Sequence, residues 1–183
     1  VKATKVTASE GPQGDVEISL KALYTDKDIY LFFQWPDKTM SLNRLFEFDG
    51  KEWKKVKGGE DRFNLMWDIG NTIKDFPAKG CTAVCHKQGK QVTLKTNGPN
   101  ERMDVWHWKA QRSNPAGYAD DQWLGQELKK VGEEETARGN DAKSAGGYSD
   151  NWDKEAKRPK YTFKEGVKLG PALLKSDAVE IKD

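Results

Sequence analysis

Long apolar runs are missing from this chain of 183 residues. No stretch approaches the roughly 20 apolar residues that a membrane-spanning helix requires. A charge imbalance is missing too: 31 basic residues face 29 acidic ones, for a formal net charge of +2. A nucleic-acid surface needs a basic stripe, so that class of partner is excluded. The residues that do most redox and metal chemistry are scarce, with two cysteines, two histidines and three methionines in all. Internal repeats and long amphipathic helical patterns are absent, which removes solenoids and helical bundles. No nucleophile–base pair, phosphate loop or paired-carboxylate motif stands out, so the chain is not read as an enzyme by itself.

Flat apolar side chains are plentiful. Seven Trp, seven Phe and five Tyr can build an ordinary core or wall a pocket for a large planar cofactor. The length suits a single domain over residues 1–183. Residues 175–183 do not read as a domain ending, and a further C-terminal segment is expected. Val1 reads as a mature N-terminus left by cleavage of a leader, which would make the protein an exported one.

Both cysteines fall in one short stretch, Gly80-Cys81-Thr82-Ala83-Val84-Cys85-His86. This is C-x-x-x-C-H, a one-residue expansion of the C-x-x-C-H signature that attaches c-type haem. Cys81 and Cys85 would form thioethers to the macrocycle, and His86 would then lie over the iron as first axial ligand. Three other readings compete. The cysteines could close a small disulfide loop, could be free structural thiols, or could join His86 and His107 in a Cys2His2 zinc set. Adjacency of Cys85 and His86 makes a shared tetrahedral ion awkward, and a His directly after the second Cys is unusual for a disulfide loop.

Along the chain, residues 1–14 are polar with Gly and Pro and predict a loose lead-in. Val16, Ile18, Leu20 and Ala22 alternate with Glu17, Ser19 and Lys21, the period of a half-buried strand. Residues 25–28 predict a turn, and 29–35, apolar on both faces, a central strand. Residues 44–48 and 51–56 flank Asp49-Gly50 as a hairpin, and Gly58-Gly59 breaks the pattern. Residues 62–68 predict a strand with Phe63, Leu65 and Trp67 on one face, Asn64 and Met66 on the other. Residues 70–80 predict a loop, 91–96 a short strand and 97–100 a turn. Residues 103–109 predict a strand with Met103, Val105, His107 and Lys109 on one face, Trp106 and Trp108 on the other. Residues 114–121 predict a structured loop, with Asp120 and Asp121 as turn-formers. Residues 125–150, polar and Gly-rich, predict a long surface excursion with one helical turn at 126–131. Residues 161–163 predict a last short strand. The sum is a mainly β fold, a β-sandwich with long loops and few short helices.

A c-type iron takes His or Met in its sixth position, or leaves it open. His107 is the other histidine, and Met103 shares its face as the alternative. Met66 and Met40 serve equally as core filler. Lys109 could ligate only as a neutral amine, which demands a depressed pKa. Lys109 and Arg112 are candidates for the haem propionates by charge, with solvated surface cations as the competing reading. Trp106 and Trp108 are candidate haem contacts. Two strong axial ligands would leave no room for substrate and would make an electron carrier, with a lower potential than a His/Met iron.

Several segments are shared with one family: Lys21-Ala22-Leu23-Tyr24 with Ile29-Tyr30-Leu31 and Trp35-Pro36-Asp37, the 60–67 and 80–86 stretches, Asp104-Val105-Trp106-His107-Trp108-Lys109-Ala110, and Gly117-Tyr118-Ala119-Asp120-Asp121. Together they resemble the haem-binding domain of the ethylbenzene dehydrogenase gamma-subunit type, in its c-type cytochrome branch. The likeness covers roughly residues 15–125 and, more weakly, 161–166. It implies a β-sandwich holding one haem in loops at one end of the sheets, on the outer side of the cytoplasmic membrane or in the periplasm. Gamma subunits of this type bind non-covalent haem b through Met and Lys and carry electrons from a molybdenum enzyme. This chain departs from them at its Cys motif. The departure implies one covalent haem c, a His in place of one of those ligands, and a cytochrome serving redox partner proteins rather than a dehydrogenase subunit.

Overall fold

The computed structural model describes residues 17–36, 46–55, 60–88, 91–131, 134–148, 150–163, 176 and 178–181. The lead-in 1–14, Met40 and the Gly58-Gly59 break lie outside the described residues. The chain divides into two compact units, residues 1–40 and 41–183, and is mainly β with long loops and few short helices.

In the first unit, β1 (Ser19–Tyr24) and β2 (Ile29–Gln34) form an antiparallel hairpin in register from Ser19↔Gln34 to Tyr24↔Ile29. Thr25 builds the turn: its N–H donates to the Asp28 carbonyl at 2.8 Å, and its Oγ1 accepts from the amides of Lys27 and Asp28. The strand expected at 29–35 as a central one is β2. Among the described residues β2 pairs with β1 alone. Hydropathy reports which faces are apolar, not how many neighbours a strand has.

In the second unit, β3 (Phe46–Phe48) and β4 (Trp53–Lys55) form the hairpin expected around Asp49-Gly50. Asp49 Oδ1 accepts from the amides of Lys51 and Glu52 at 2.9 Å, and Gly50 takes φ +93°, which L side chains rarely adopt. After β5 (Arg62–Asp68), the chain runs through a single helical turn, α1 (Phe76–Lys79), and a 3-10 turn over Gly80–Val84. A small hairpin follows, β6 (Cys85–Gln88) with β7 (Gln91–Leu94). Then come β8 (Met103–Lys109), β9 (Asp120–Val131) and β10 (Glu134–Asn140), which with β5 form a four-stranded antiparallel sheet of order β10-β9-β8-β5.

The β9–β10 hairpin corrects the excursion and helical turn expected at 125–150. Its outer part is solvated and polar, while Leu124 and Ala137 anchor its base in the core. Gly125 and Gly139, read in sequence as loop punctuation, lie under the Trp123 indole, where a Cβ at either position would collide with the ring. A register shift between Thr136 and Arg138 further hides the period of two. The strand at 161–163 is β11 (Tyr161–Phe163), and it is not the last: it pairs with β12 (Ala178–Glu180).

Register places facing residues on the same side of the main sheet. One side carries Asn64 and Met66 of β5, then Met103, Val105, His107 and Lys109 of β8. Leu124, Gln122 and Asp120 of β9 and Arg138 and Asn140 of β10 complete it. The opposite side carries Leu65, Trp67, Trp106, Trp108, Asp121 and Trp123. The first side is the covered one. Val105, Met103 and Leu124 pack there with Ile73 and Val84, joined by Met66, Phe76, Ala83 and Leu94. Val84 is fully buried, so the Cys-motif segment is docked on this face.

Candidate functional site

The motif segment is tied down by its backbone. Lys95 N–H donates to the Val84 carbonyl at 3.0 Å, Asn97 Nδ2 donates to the Ala83 carbonyl at 3.1 Å, and Thr96 N–H reaches Gly125 of β9. Cys81 and Cys85 point outward, exposed and free. Cys85 opens β6, where alternation sends the next side chain to the other face, and His86 is half-buried. His86 Nε2 lies 3.2 Å from the Lys95 carbonyl oxygen. A bond from this nitrogen to a metal would replace that contact. Among the described residues, no group of three or more His, Cys, Asp or Glu could hold a metal ion, so the Cys2His2 zinc set is not assembled. The disulfide loop is not formed either.

The burial of β8 alternates residue by residue as its sequence predicts, with Met103, Val105, His107 and Lys109 on the covered face. His107 is 4 % exposed. Its Nδ1 lies 3.3 Å from Gln122 Oε1 and 3.3 Å from Arg138 Nη1. Arg138 Nη1 also donates to Gln122 Oε1 at 3.5 Å, and Gln122 Nε2 donates to Asn140 Oδ1 at 2.5 Å. His107 Nε2 is buried with no hydrogen-bond partner. Burial above all, then the charges of Lys109 and Arg138, pulls the His107 pKa down to about 3, so the imidazole is neutral at ordinary pH. A buried neutral imidazole with an orphaned nitrogen is what a metal ligand looks like before the metal is bound. His107 Nε2 thus has the chemistry of a nitrogen donor.

The cations assigned in sequence to carboxylates of a cofactor are already engaged. Lys109, 2 % exposed, is ion-paired to the fully buried Asp120. Its pKa falls to about 7 through burial and the neighbouring Arg112 guanidinium. That shift meets one requirement for a lysine ligand, but the nitrogen is held by Asp120. Arg112 Nε pairs with Glu60 Oε1 at 2.5 Å, and Glu60 Oε2 accepts the Gln111 amide at 2.9 Å. Tyr148 lies beside both cations, with Lys109 Nζ 5.0 Å from its ring centre and Arg112 Nη1 3.3 Å from its hydroxyl. Neither Asp120 nor Asp121 is a turn-former: both begin β9.

Trp106 and Trp108 lie across the sheet from His107. Trp106 packs on Trp67 with ring centres 5.3 Å apart, and Trp108 Nε1 donates to Asn114 Oδ1 at 2.9 Å. A cavity of about 540 Å³ opens at the sheet end where β8 begins, lined by Ile69, Thr96, Arg102, Met103, Trp123 and Leu124 among others. His107 does not line it. Met103 and His107 are thus on one face but about 13 Å apart along the strand.

Sequence reasoning missed Gln122, Asn140, Arg138 and Glu60. Arg138 and Asn140 sit in the stretch misread as an excursion, and Gln122 lies just before it in the same hairpin. Glu60 reaches Gln111, 51 positions along the chain, and no local pattern reports such a contact.

Comparison with known proteins adds a family. A family model described as ethylbenzene dehydrogenase matches residues 1–179. No curated protein matches the chain, and no solved structure does.

Proposed function

This chain belongs to the ethylbenzene dehydrogenase family, and from that premise we propose that it is a monohaem c-type cytochrome that relays single electrons. Cys81 and Cys85 would hold the macrocycle through thioethers, and His86 and His107 would supply nitrogen ligands to its iron. The observation that carries this reading is the buried, neutral His107 with its unpartnered Nε2. Haem, when bound, supplies a one-electron iron couple. The chain's own residues do the rest. The exposed cysteines keep the attachment edge at the surface, where a redox partner can approach. Val105 and Met66 exclude water from the covered face, and the Lys109–Asp120 and Arg112–Glu60 pairs keep buried charge balanced beside it.

Two specific observations support variants of this reading. The cavity lined by Met103 supports Met103 as the second ligand. Family membership supports a haem-binding subunit working with the other chains of a molybdenum oxidoreductase, for which no helix long and apolar enough to cross a membrane is present among the described residues. Export to the periplasm or the outer face of the cytoplasmic membrane belongs to the same proposal.

The test is intact-mass analysis and visible to near-infrared spectroscopy of the protein produced in a host that matures c-type haem. One added macrocycle and a low-spin spectrum without a methionine–iron band are expected. The bare polypeptide mass would overturn the function. A methionine–iron band would transfer the second ligand to Met103.

A further inference from the structure

The cavity at the sheet end where β8 begins has a volume of about 540 Å³, within the range of small-molecule sites, roughly 300–1,000 Å³. Neither His86 nor His107 lines it, so ligation through those two leaves it unused. Its walls are tied in place. Thr96 N–H donates to the Gly125 carbonyl at 2.9 Å, Ile69 N–H to the Arg102 carbonyl at 3.0 Å, and Gln126 Nε2 to the Asn97 carbonyl at 3.5 Å. One wall is an aromatic plate. The Trp123 indole spreads over Gly125 and Gly139, where a Cβ would collide with it, and stays 39 % exposed. Glycine weakens a strand and marks the places where another group must come close to the backbone. Here two of them let a flat ring lie along the strands at the cavity. Lys129 Nζ stands 5.6 Å from the ring centre.

The rest of the lining is rich in polar groups of both kinds. Glu101, Asp104 and Glu127 stand against Arg102 and Lys129. Three carboxylates to two cations disfavour an anion, and the near balance disfavours a strong cation. Glu101 accepts the Asn97 amide at 2.5 Å, and Asp104 is hydrogen-bonded to Asp121. Thr96 belongs to the same wall, and its hydroxyl is buried with no hydrogen-bond partner. A ligand that covers these groups without bonding to them pays their desolvation, so it must carry several donors and acceptors of its own. An aromatic ring with one or two hydroxyls supplies too few.

From this lining we infer that the cavity binds an uncharged sugar, with one pyranose ring stacked on Trp123 and its hydroxyls hydrogen-bonded to Arg102, Asp104 and Glu127. One face of a pyranose presents C–H bonds, which suit the electron-rich face of an indole, and its rim presents hydroxyls that both donate and accept. The site stands apart from the haem reading, except that a haem ligated by Met103 would fill the same space.

The experiment is isothermal titration calorimetry of the full chain as purified. Cellobiose, maltose and lactose are the probes, with glucuronate and hydroquinone as the charged and the aromatic counterparts. Saturable binding of at least one of the three disaccharides is expected, with a Kd below about 1 mM. Trp123→Ala should weaken it about tenfold, and Trp123→Phe, which keeps a flat ring, by less. Glu127→Ala, at an exposed position on the rim, should weaken it about threefold and carries the test should Trp123→Ala fail to fold. Binding of none of the three sugars overturns the site. So does tighter binding of glucuronate or hydroquinone, or sugar binding indifferent to Trp123 and Glu127. A methionine–iron band in haem-loaded protein would assign the space to the macrocycle and overturn the site as well. Absence of haem from the purified chain, with sugar binding intact, would overturn the cytochrome reading alone.

Discussion

The two halves of the proposed site are built differently. On the β8 side, His107 is 4 % exposed, backed by Gln122, Asn140 and Arg138, and flanked by buried ion pairs. On the motif side, both thiols are exposed and free, and Val84 is the one fully buried anchor of the 80–86 stretch. The difference teaches where order comes from. The distal side is organised by the polypeptide's own packing and hydrogen bonds, at the desolvation cost of an unpartnered imidazole nitrogen. The motif side is open, with both thiols exposed, as the covalent attachment proposed above would require, since such a reaction needs access rather than burial.

The largest effect that could break this comparison is on attachment. In the double variant Cys81→Ala/Cys85→Ala the covalent haem is expected to be lost completely, read as the bare polypeptide mass. The far-UV circular dichroism of the sheet should persist, because neither thiol contributes to the core. Collapse of the sheet in that variant would mean that the attachment side organises the distal one.

Next in size is Asp120→Ala. It strands the Lys109 ammonium in a buried site, and removing one partner of a buried pair costs about 3–5 kcal/mol. The double change Lys109→Met/Asp120→Leu should recover most of that loss, measured by urea unfolding. A single variant as stable as wild type would show that the pair is solvated. Met103→Ala follows, with an expected loss of about 2–5 kcal/mol for a truncated core side chain. Cys81→Ser, at an exposed position, should stay within about 0.5 kcal/mol in haem-free protein. Equal losses at the two sites would erase the contrast between the sides.

How much of this was legible in sequence follows the same divide. The β8 face split was readable because period-two alternation is a local signal and β8 obeys it without interruption. For Cys81, Cys85 and His86 the spacing yields a proposal about chemistry, while the fold adds only their placement, two exposed thiols and a half-buried imidazole. The backing of His107 was not readable. Gln122 and Asn140 come from a hairpin whose glycines serve Trp123 rather than a turn, and whose bulge breaks the alternation. Lys109 and Arg112 looked like free cations because Asp120 and Glu60 are 11 and 52 positions away. Charge type is a sequence property; charge pairing is a tertiary one.

The smallest expected effect sharpens the contrast within the sheet itself, between its two faces. His107 on the covered face has its pKa lowered to about 3, so the unfolded chain takes up a proton first as pH falls. Stability from this group is full above about 6.5 and is lost progressively toward 3. Asp121 on the opposite face behaves the other way. Burial, and next the Asp104 carboxylate, raise its pKa to about 6, so the unfolded chain loses its proton first as pH rises. Its contribution is present at low pH and is lost between about 3.8 and 6. The two slopes oppose each other in one window and should leave haem-free protein with a flattened stability profile between pH 4 and 6. Asp121→Asn removes the rising-pH loss and unmasks the His107 slope, so stability should then climb steadily over that range. An unchanged profile in Asp121→Asn would mean that the carboxyl on the tryptophan face is solvated, and that only the His107 face sets the pH response.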